Sequence, residues 1–175
     1  GYGAALDTIE HVKDSMRNWR NTECIYKWCR QVGLIEPKSQ ERWFDSIQGN
    51  NAIQMFSVVD NNCYVGVCGL TSIHWIHRSA ELSYYIAPEY MGTLPGRFGL
   101  KVFKTLIRYA FDGLGLNRVF GDSFEPNNVA IMNLCDLGLK QEGVLRESYY
   151  KDGKFINSVV QSMLRSEYEE VKGDW

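Results

Sequence analysis

No stretch of this sequence approaches the roughly 18 consecutive apolar residues that read as a membrane span. The first residues carry no charged-then-apolar leader pattern, so a cytoplasmic chain without a membrane is expected. Excess charge is lacking too, since 19 Lys and Arg stand against 21 Asp and Glu, a formal −2. Without a basic stripe there is no electrostatic footprint for nucleic acid. The five cysteines are odd in number and none forms a CxxC. On a strand, Cys63 and Cys68 face opposite sides, so buried free thiols in a reducing compartment are expected. Histidine is scarce, and His74-x-x-His77 has no further ligand clustered beside it, so no metal site is expected. Repeats, linkers and low-complexity segments are also missing. The chain, residues 1–175, reads as one domain.

What is present is apolar and aromatic. Hydrophobic residues make up 45% and aromatics 13% of the 175 residues, enough for a globular core. "DTIEHVKDSMRNW", from an Asp7 or Thr8 cap, places Ile9, Val12, Met16 and Trp19 at helical spacing. "NTECIYKWCRQV" and "PKSQERWFDSIQG" predict two more short helices, the latter with Ser39 as cap and Gly49 as stop. The character then turns to strand. "AIQMFSVVD" and "NCYVGVCGLTSIHWI" are joined by the turn Asp60-Asn61-Asn62, and "AELSYYIA" runs to Pro88. A helix over Val102–Phe111 closes near Gly113, and "NRVFGDSF" predicts the next strand. "PNNVAIMNLCDLG" is a short helix, "EGVLRESYY" and "FINSVVQSMLRS" a hairpin about "KDGK", and "EYEEVKGDW" a polar end that frays. The order gives an α/β (α+β) domain, a mixed sheet with helices on both sides.

The richest local pattern is "PEYMGTLPGRFGLKVFKTLIRYAF", residues 88–111. Glycines directly before a helix let backbone N–H groups approach an anion at the positive end of the helix dipole. Arg97 and Lys101 add charge. Gly92, Gly96 and Gly99 fit neither the dinucleotide fingerprint nor the P-loop, so an ordinary strand–helix turn stands as the alternative.

The order of elements around that loop resembles the GNAT superfamily of acyl-CoA N-acyltransferases. The likeness is to its subgroup of ribosomal-protein N-terminal and amino-sugar acetyltransferases. "AELSYYIAPEYMG", "GRFG" and "LKVFKTLIRYAF" are similar to the family's strand, pyrophosphate loop and helix. "NRVFGDSFEPNN", "VAIMNLCDLGL" and "KQEGVLRES" follow in the family's order, and "NWRN" and "SQERWF" resemble its N-terminal region. The resemblance covers roughly residues 16 to 165. It implies a mostly antiparallel sheet of six to seven strands. It also implies acetyl-CoA (coenzyme A) as cofactor and direct transfer of an acetyl group to a small-molecule or peptide amine, by a monomer or homodimer. A catalytically silent acyl-CoA-binding module is the alternative. The pattern departs at Arg97, where a glycine is usual, and at Leu134, where many relatives carry a Tyr that acts as general acid.

The resemblance also assigns residues. Ile86 and Ala87 end the strand that bonds the pantetheine arm. Gly96, Arg97, Phe98, Gly99, Leu100 and Lys101 form the phosphate loop and helix start. Asn127 reaches the cofactor, or caps the helix behind it. Transfer needs a neutral amine and therefore a base. Glu81 matches the subgroup's acid before the cofactor strand, against the plainer reading of an edge carboxylate paired with Arg78 or a lysine. His74 and His77 face a plausible acceptor side or are simply loop histidines. Tyr149 or Tyr150 replaces the missing Tyr, or is a sheet aromatic. Trp19, Arg20 and Trp43 line an acceptor pocket, or pack helices.

Overall fold

The computed structural model describes residues 4–94 and 97–175. Gly96, expected to bind the cofactor, lies outside the described residues, as does Pro95. In chain order the elements are β1 (Ala5–Thr8), a 3-10 turn (Ile9–Val12), α1 (Lys13–Asn21), α2 (Glu23–Tyr26), α3 (Pro37–Ile47), β2 (Gln54–Asp60), β3 (Cys63–His74) and β4 (Ser79–Ile86). Then come α4 (Phe98–Arg108), continued by a π turn (Tyr109–Gly113), β5 (Arg118–Phe124), α5 (Asn128–Asp136), β6 (Lys140–Lys151), β7 (Lys154–Leu164) and α6 (Arg165–Val171).

The seven strands form one sheet in the order β1-β2-β3-β4-β5-β7-β6. Every pairing is antiparallel except β4 with β5, which run parallel over only Ser79–Arg118, Ala80–Val119 and Glu81–Phe120. Beyond Glu81 the two strands part. The mixed, mainly antiparallel sheet expected from the sequence is therefore present. Alternation along β3 separates two cores. Cys68 and Leu70 join α4, α5 and α6 on one face through Val102, Leu106, Leu134 and Tyr168. Val67 joins the other face, where Met16, Trp19, Ile25 and Phe44 bring in α1, α2 and α3. Among the described residues no helix is long and apolar enough to cross a membrane.

Three local expectations are corrected. Asp7 and Thr8 do not open a helix directly; they end β1, which pairs with β2 through Asp7–Ser57 and Thr8–Phe56, and the helix follows the 3-10 turn. The second helix is one turn long and gives way to a loop before Val32. That loop is held by side chains instead of helical bonds: Gln31 Nε2 donates to the Arg20 carbonyl at 3.3 Å, and Asn21 Nδ2 donates to that of Ile35 at 3.0 Å.

The third correction is the C-terminus, which does not fray. Tyr168 on α6 is 1% exposed, stacks on Phe111 at 4.8 Å and donates to Asp112 Oδ2 at 2.6 Å. One aromatic at the right helical position docks an otherwise polar segment, because its burial outweighs the cost of ordering one short helix. Tyr168→Ala should therefore lower unfolding free energy by about 3–5 kcal/mol, as for other large aromatic truncations. Urea denaturation checks this, and a change below about 1 kcal/mol would mean that α6 contributes little to the core.

Candidate active site

Where β4 leaves β5, the sheet opens into a cavity of about 1100 Å3. One wall is β4 from Glu81 to Ile86, and the opposite wall is β5 from Gly121 to Phe124. The first turn of α4 (Arg97, Phe98, Gly99) and the start of α5 (Asn127 to Ala130) close one side. Arg20, the loop from Lys27 to Arg30, and Trp43 close the other. From Leu82 onward β4 has no strand partner on its β5-facing edge among the described residues.

A charged cluster sits at the point of divergence. Glu81, 9% exposed, is the last residue of β4 paired with β5, and Asp122 follows soon after its partner Phe120. Arg30 bridges them. Its Nη1 donates to Glu81 Oε2 at 3.2 Å and its Nη2 contacts Glu81 Oε1. Nη2 also donates to the Asp122 carbonyl at 2.9 Å and lies 3.4 Å from Asp122 Oδ2. Burial pulls the Arg30 guanidinium down, but its bond to Glu81 and the charges around it lift it above its ordinary value. The partner of Glu81 is thus Arg30, from a distant loop, and not Arg78.

Tyr149 stands behind this cluster. Its hydroxyl donates to Asp122 Oδ2 at 2.6 Å, and its ring lies 4.9 Å from the Arg30 guanidinium. The hydroxyl expected to act as proton donor is therefore spent on Asp122, and Tyr149 is absent from the cavity lining. Leu134 does line the cavity, but offers no proton. Three other polar atoms on the wall were not legible as site groups. Tyr84 Oη, Tyr85 Oη and Asp122 Oδ1 are buried with no hydrogen-bond partner among the described residues. "SYYI" reads simply as strand, so only the opening of the sheet reveals that these two tyrosines line a cavity.

The remaining candidates divide. Ile86, Arg97, Phe98, Gly99, Asn127, Arg20 and Trp43 are brought together around the cavity, as is Glu81. Ala87 is buried at the foot of β4, in the core with α1. Asn127 does cap: its Oδ1 accepts from Ala130 N at 3.3 Å. Arg97 takes the left-handed N-cap position of α4 (φ 67°) and pairs with Asp136. Gly99 has a packing reason to be glycine, since a Cβ there would stand 3.1 Å from Tyr84 Cε1. Leu100 faces the core beneath α4, and Lys101 is exposed outside the cavity lining. Trp19 is a core residue whose Nε1 donates to Glu89 at 3.1 Å, so its role is packing. His74 and His77 stack on each other at 4.1 Å, both exposed and away from the lining, at the end of β3 and in the turn after it. Among the described residues no group of three or more His, Cys, Asp or Glu converges as a metal site.

Comparison with known proteins agrees with this architecture. The family model described as "Acetyltransferase (GNAT) domain" matches residues 6–138. The chain belongs to the GNAT acetyltransferase family. One curated relative, the uncharacterised N-acetyltransferase YoaA of Bacillus subtilis, is 30% identical over 106 residues, 61% of this chain and 58% of that protein, less than two thirds of its length. The spermidine N(1)-acetyltransferase of Vibrio cholerae is 29% identical over 120 residues, 68% of each chain. A crystal structure of a Vibrio cholerae spermidine N-acetyltransferase in complex with CoA and spermine superposes with a TM-score of 0.88. It is 24% identical, covering 97% of this chain and 99% of that one, and shows a shared fold.

The buried acids of this GNAT domain have a pH consequence. Burial pushes the Cys68 thiol up to about 12. Burial likewise raises the phenols of Tyr84, Tyr85, Tyr149 and Tyr168 above the ordinary tyrosine range, helped in Tyr149 by its bond to Asp122 and in Tyr168 by its bond to Asp112. A raised folded-state pKa means that the unfolded chain gives up these protons first. The contribution is complete below the unfolded values and is lost as pH rises through about 9 to 10 and beyond. The urea midpoint should fall steadily between about pH 9 and 11, with the tyrosinate absorbance of these buried phenols appearing only together with unfolding. A midpoint unchanged over that range would contradict this account.

Proposed function

We propose that this chain is an N-acetyltransferase that moves an acetyl group from acetyl-CoA to a primary amine by direct transfer in a ternary complex. The observation that carries the reading is the parting of β4 from β5 just beyond Glu81. It opens a cavity between the start of α4 and the Arg30–Glu81–Asp122 cluster.

The residues present fit the cofactor. The unpaired edge of β4 from Leu82 to Ile86 offers backbone donors and acceptors to an amide-bearing arm, as a partner strand would. The first turn of α4, an 11-residue helix, has N–H groups without intrahelical partners and a partial positive charge suited to phosphate. Arg97 keeps further donors beside its bond to Asp136, and Lys101 lies one turn on. Asn127 borders the same space. Acetyl-CoA, when bound, supplies an acyl carbon activated as a thioester.

The chain supplies position and charge. An aliphatic amine is mostly protonated near neutral pH, so it enters as a cation and must lose a proton before it can attack. Glu81 and Asp122 carry two negative charges against one on Arg30, leaving a site that attracts an ammonium group. Glu81 is the proposed base, directly or through an ordered water. Holding amine and thioester within reach removes much of the barrier, with no covalent enzyme adduct required. Arg20 and Trp43 border the acceptor end. The acceptor is proposed as a small-molecule or peptide amine. A polyamine is the first to test because relatives carry spermidine in their names, followed by an amino sugar and a peptide N-terminus.

Coenzyme A or acetyl-CoA should raise the melting temperature, because a ligand that binds only the folded state stabilises it by mass action. A thermal-shift titration that stays flat at about 1 mM cofactor would sink the reading.

Glu81→Gln should lower turnover by roughly 100-fold or more while leaving coenzyme A affinity nearly intact. Thiol release with an amine panel measures the first quantity and calorimetry the second. Equal activity in the variant would remove Glu81 from the chemistry.

A further inference from the structure

One buried cation lies outside the cavity and outside the roles assigned so far. Lys151, at the end of β6, is 4% exposed. Its Nζ donates to the carbonyl of Cys29 at 2.7 Å and to the carbonyl of Gln31 at 2.7 Å. The third direction is filled by the Tyr26 ring, whose centroid lies 3.5 Å away. A buried ammonium is costly unless its donors are met, and here all three are. The two carbonyls belong to the residues on either side of Arg30. The same hairpin and loop are joined again where the Tyr26 hydroxyl donates to Asp152 Oδ1 at 2.8 Å, and within the loop Gly33 N donates to the same Tyr26 oxygen at 3.3 Å.

This geometry matters because a short helix and an open loop do not by themselves fix a long side chain. Arg30 must hold two carboxylates on two different strands, and its own side chain is 41% exposed. Pinning both neighbouring carbonyls fixes the backbone at Arg30 from each side. Its guanidinium then has one direction in which to reach Glu81 and Asp122.

We infer that Lys151 is a positioning residue of the acceptor site: by holding the carbonyls of Cys29 and Gln31 it sets Arg30 across Glu81 and Asp122. Lys151 touches no reacting atom and acts through Arg30. The inference rests on the acetyltransferase reading for its kinetic consequences, but the clamp itself is a property of the folded chain.

The test is a double-mutant cycle between Lys151→Met and Arg30→Met in the full-length protein, read with the most reactive amine of the panel. Lys151→Met should lower kcat/KM for the amine by about tenfold or more, as small misplacements of catalytic groups do, with KM for acetyl-CoA within about twofold of the parent. In the Arg30→Met background the same change should add almost nothing, because the route is already cut. Losses that multiply in the double variant would overturn the inference, as would a Lys151→Met enzyme equal to the parent. Should Lys151→Met fail to fold, Lys151→Gln carries the same cycle. A second readout needs no turnover: in NMR spectra the Nη–H signals of Arg30, held by two carboxylates, should be resolved in the parent and collapse in Lys151→Met. Unchanged Arg30 signals would overturn the clamp. A parent protein that acetylates no amine would defeat the functional reading and leave the spectroscopic test of Lys151 standing.

Discussion

Three residue pairs, ending at Glu81–Phe120, are the whole of the contact ladder between β4 and β5. The short length of that pairing sets everything near the cavity. Had the strands continued side by side, β4 would have spent its edge on β5, and Tyr84 and Tyr85 would border no cavity. Because they part, the last paired position places one carboxylate at the mouth of the gap, and β5 brings a second. Two like charges so close need a cation between them, and the loop after α2 supplies Arg30. The parting also leaves room for the start of α4 against Tyr84. There Gly99 is small enough for the ring, and the helix end borders the cavity.

What the sequence revealed and what it hid follow from distance along the chain. The sheet, α4 and the cap at Asn127 are written in local periods and turn residues, which depend on neighbours only a few positions away. The cluster is not local. Arg30 meets Glu81 across 51 residues, and Lys151 meets Cys29 across 122. No spacing rule links such pairs, so Arg30, Asp122 and Lys151 read as ordinary surface charges until the fold brings them together. Residue type misled in the opposite direction at His74 and His77. Their chemistry suits proton transfer, yet both stand exposed, at the end of β3 and in the turn after it. The docked α6 was hidden for a similar reason: one buried tyrosine outweighs a polar segment, and its pocket on Phe111 and Asp112 is distant in sequence.

The Tyr149 position shows how geometry narrows a chemical role. A phenol near two carboxylates is an attractive proton donor on paper. In the fold it faces Asp122, and both burial and that bond keep it protonated. Its hydroxyl orients Asp122, as a neutral donor can do without adding charge. Leu134 meanwhile makes the neighbouring wall apolar, so the charge at the cavity is concentrated at the strand divergence.

The same brief ladder divides the sheet mechanically. Strands β1 to β4 form one continuous meander and β5, β7 and β6 a second block, welded along a seam only three pairs long. In the proposed binding mode, a molecule lying along the open edge of β4 would act as a temporary eighth strand beside that weld. Occupancy would then do more than fill a hole: it would tie two blocks into a single cooperative unit, so the stiffness of the whole sheet would report whether the cleft is filled.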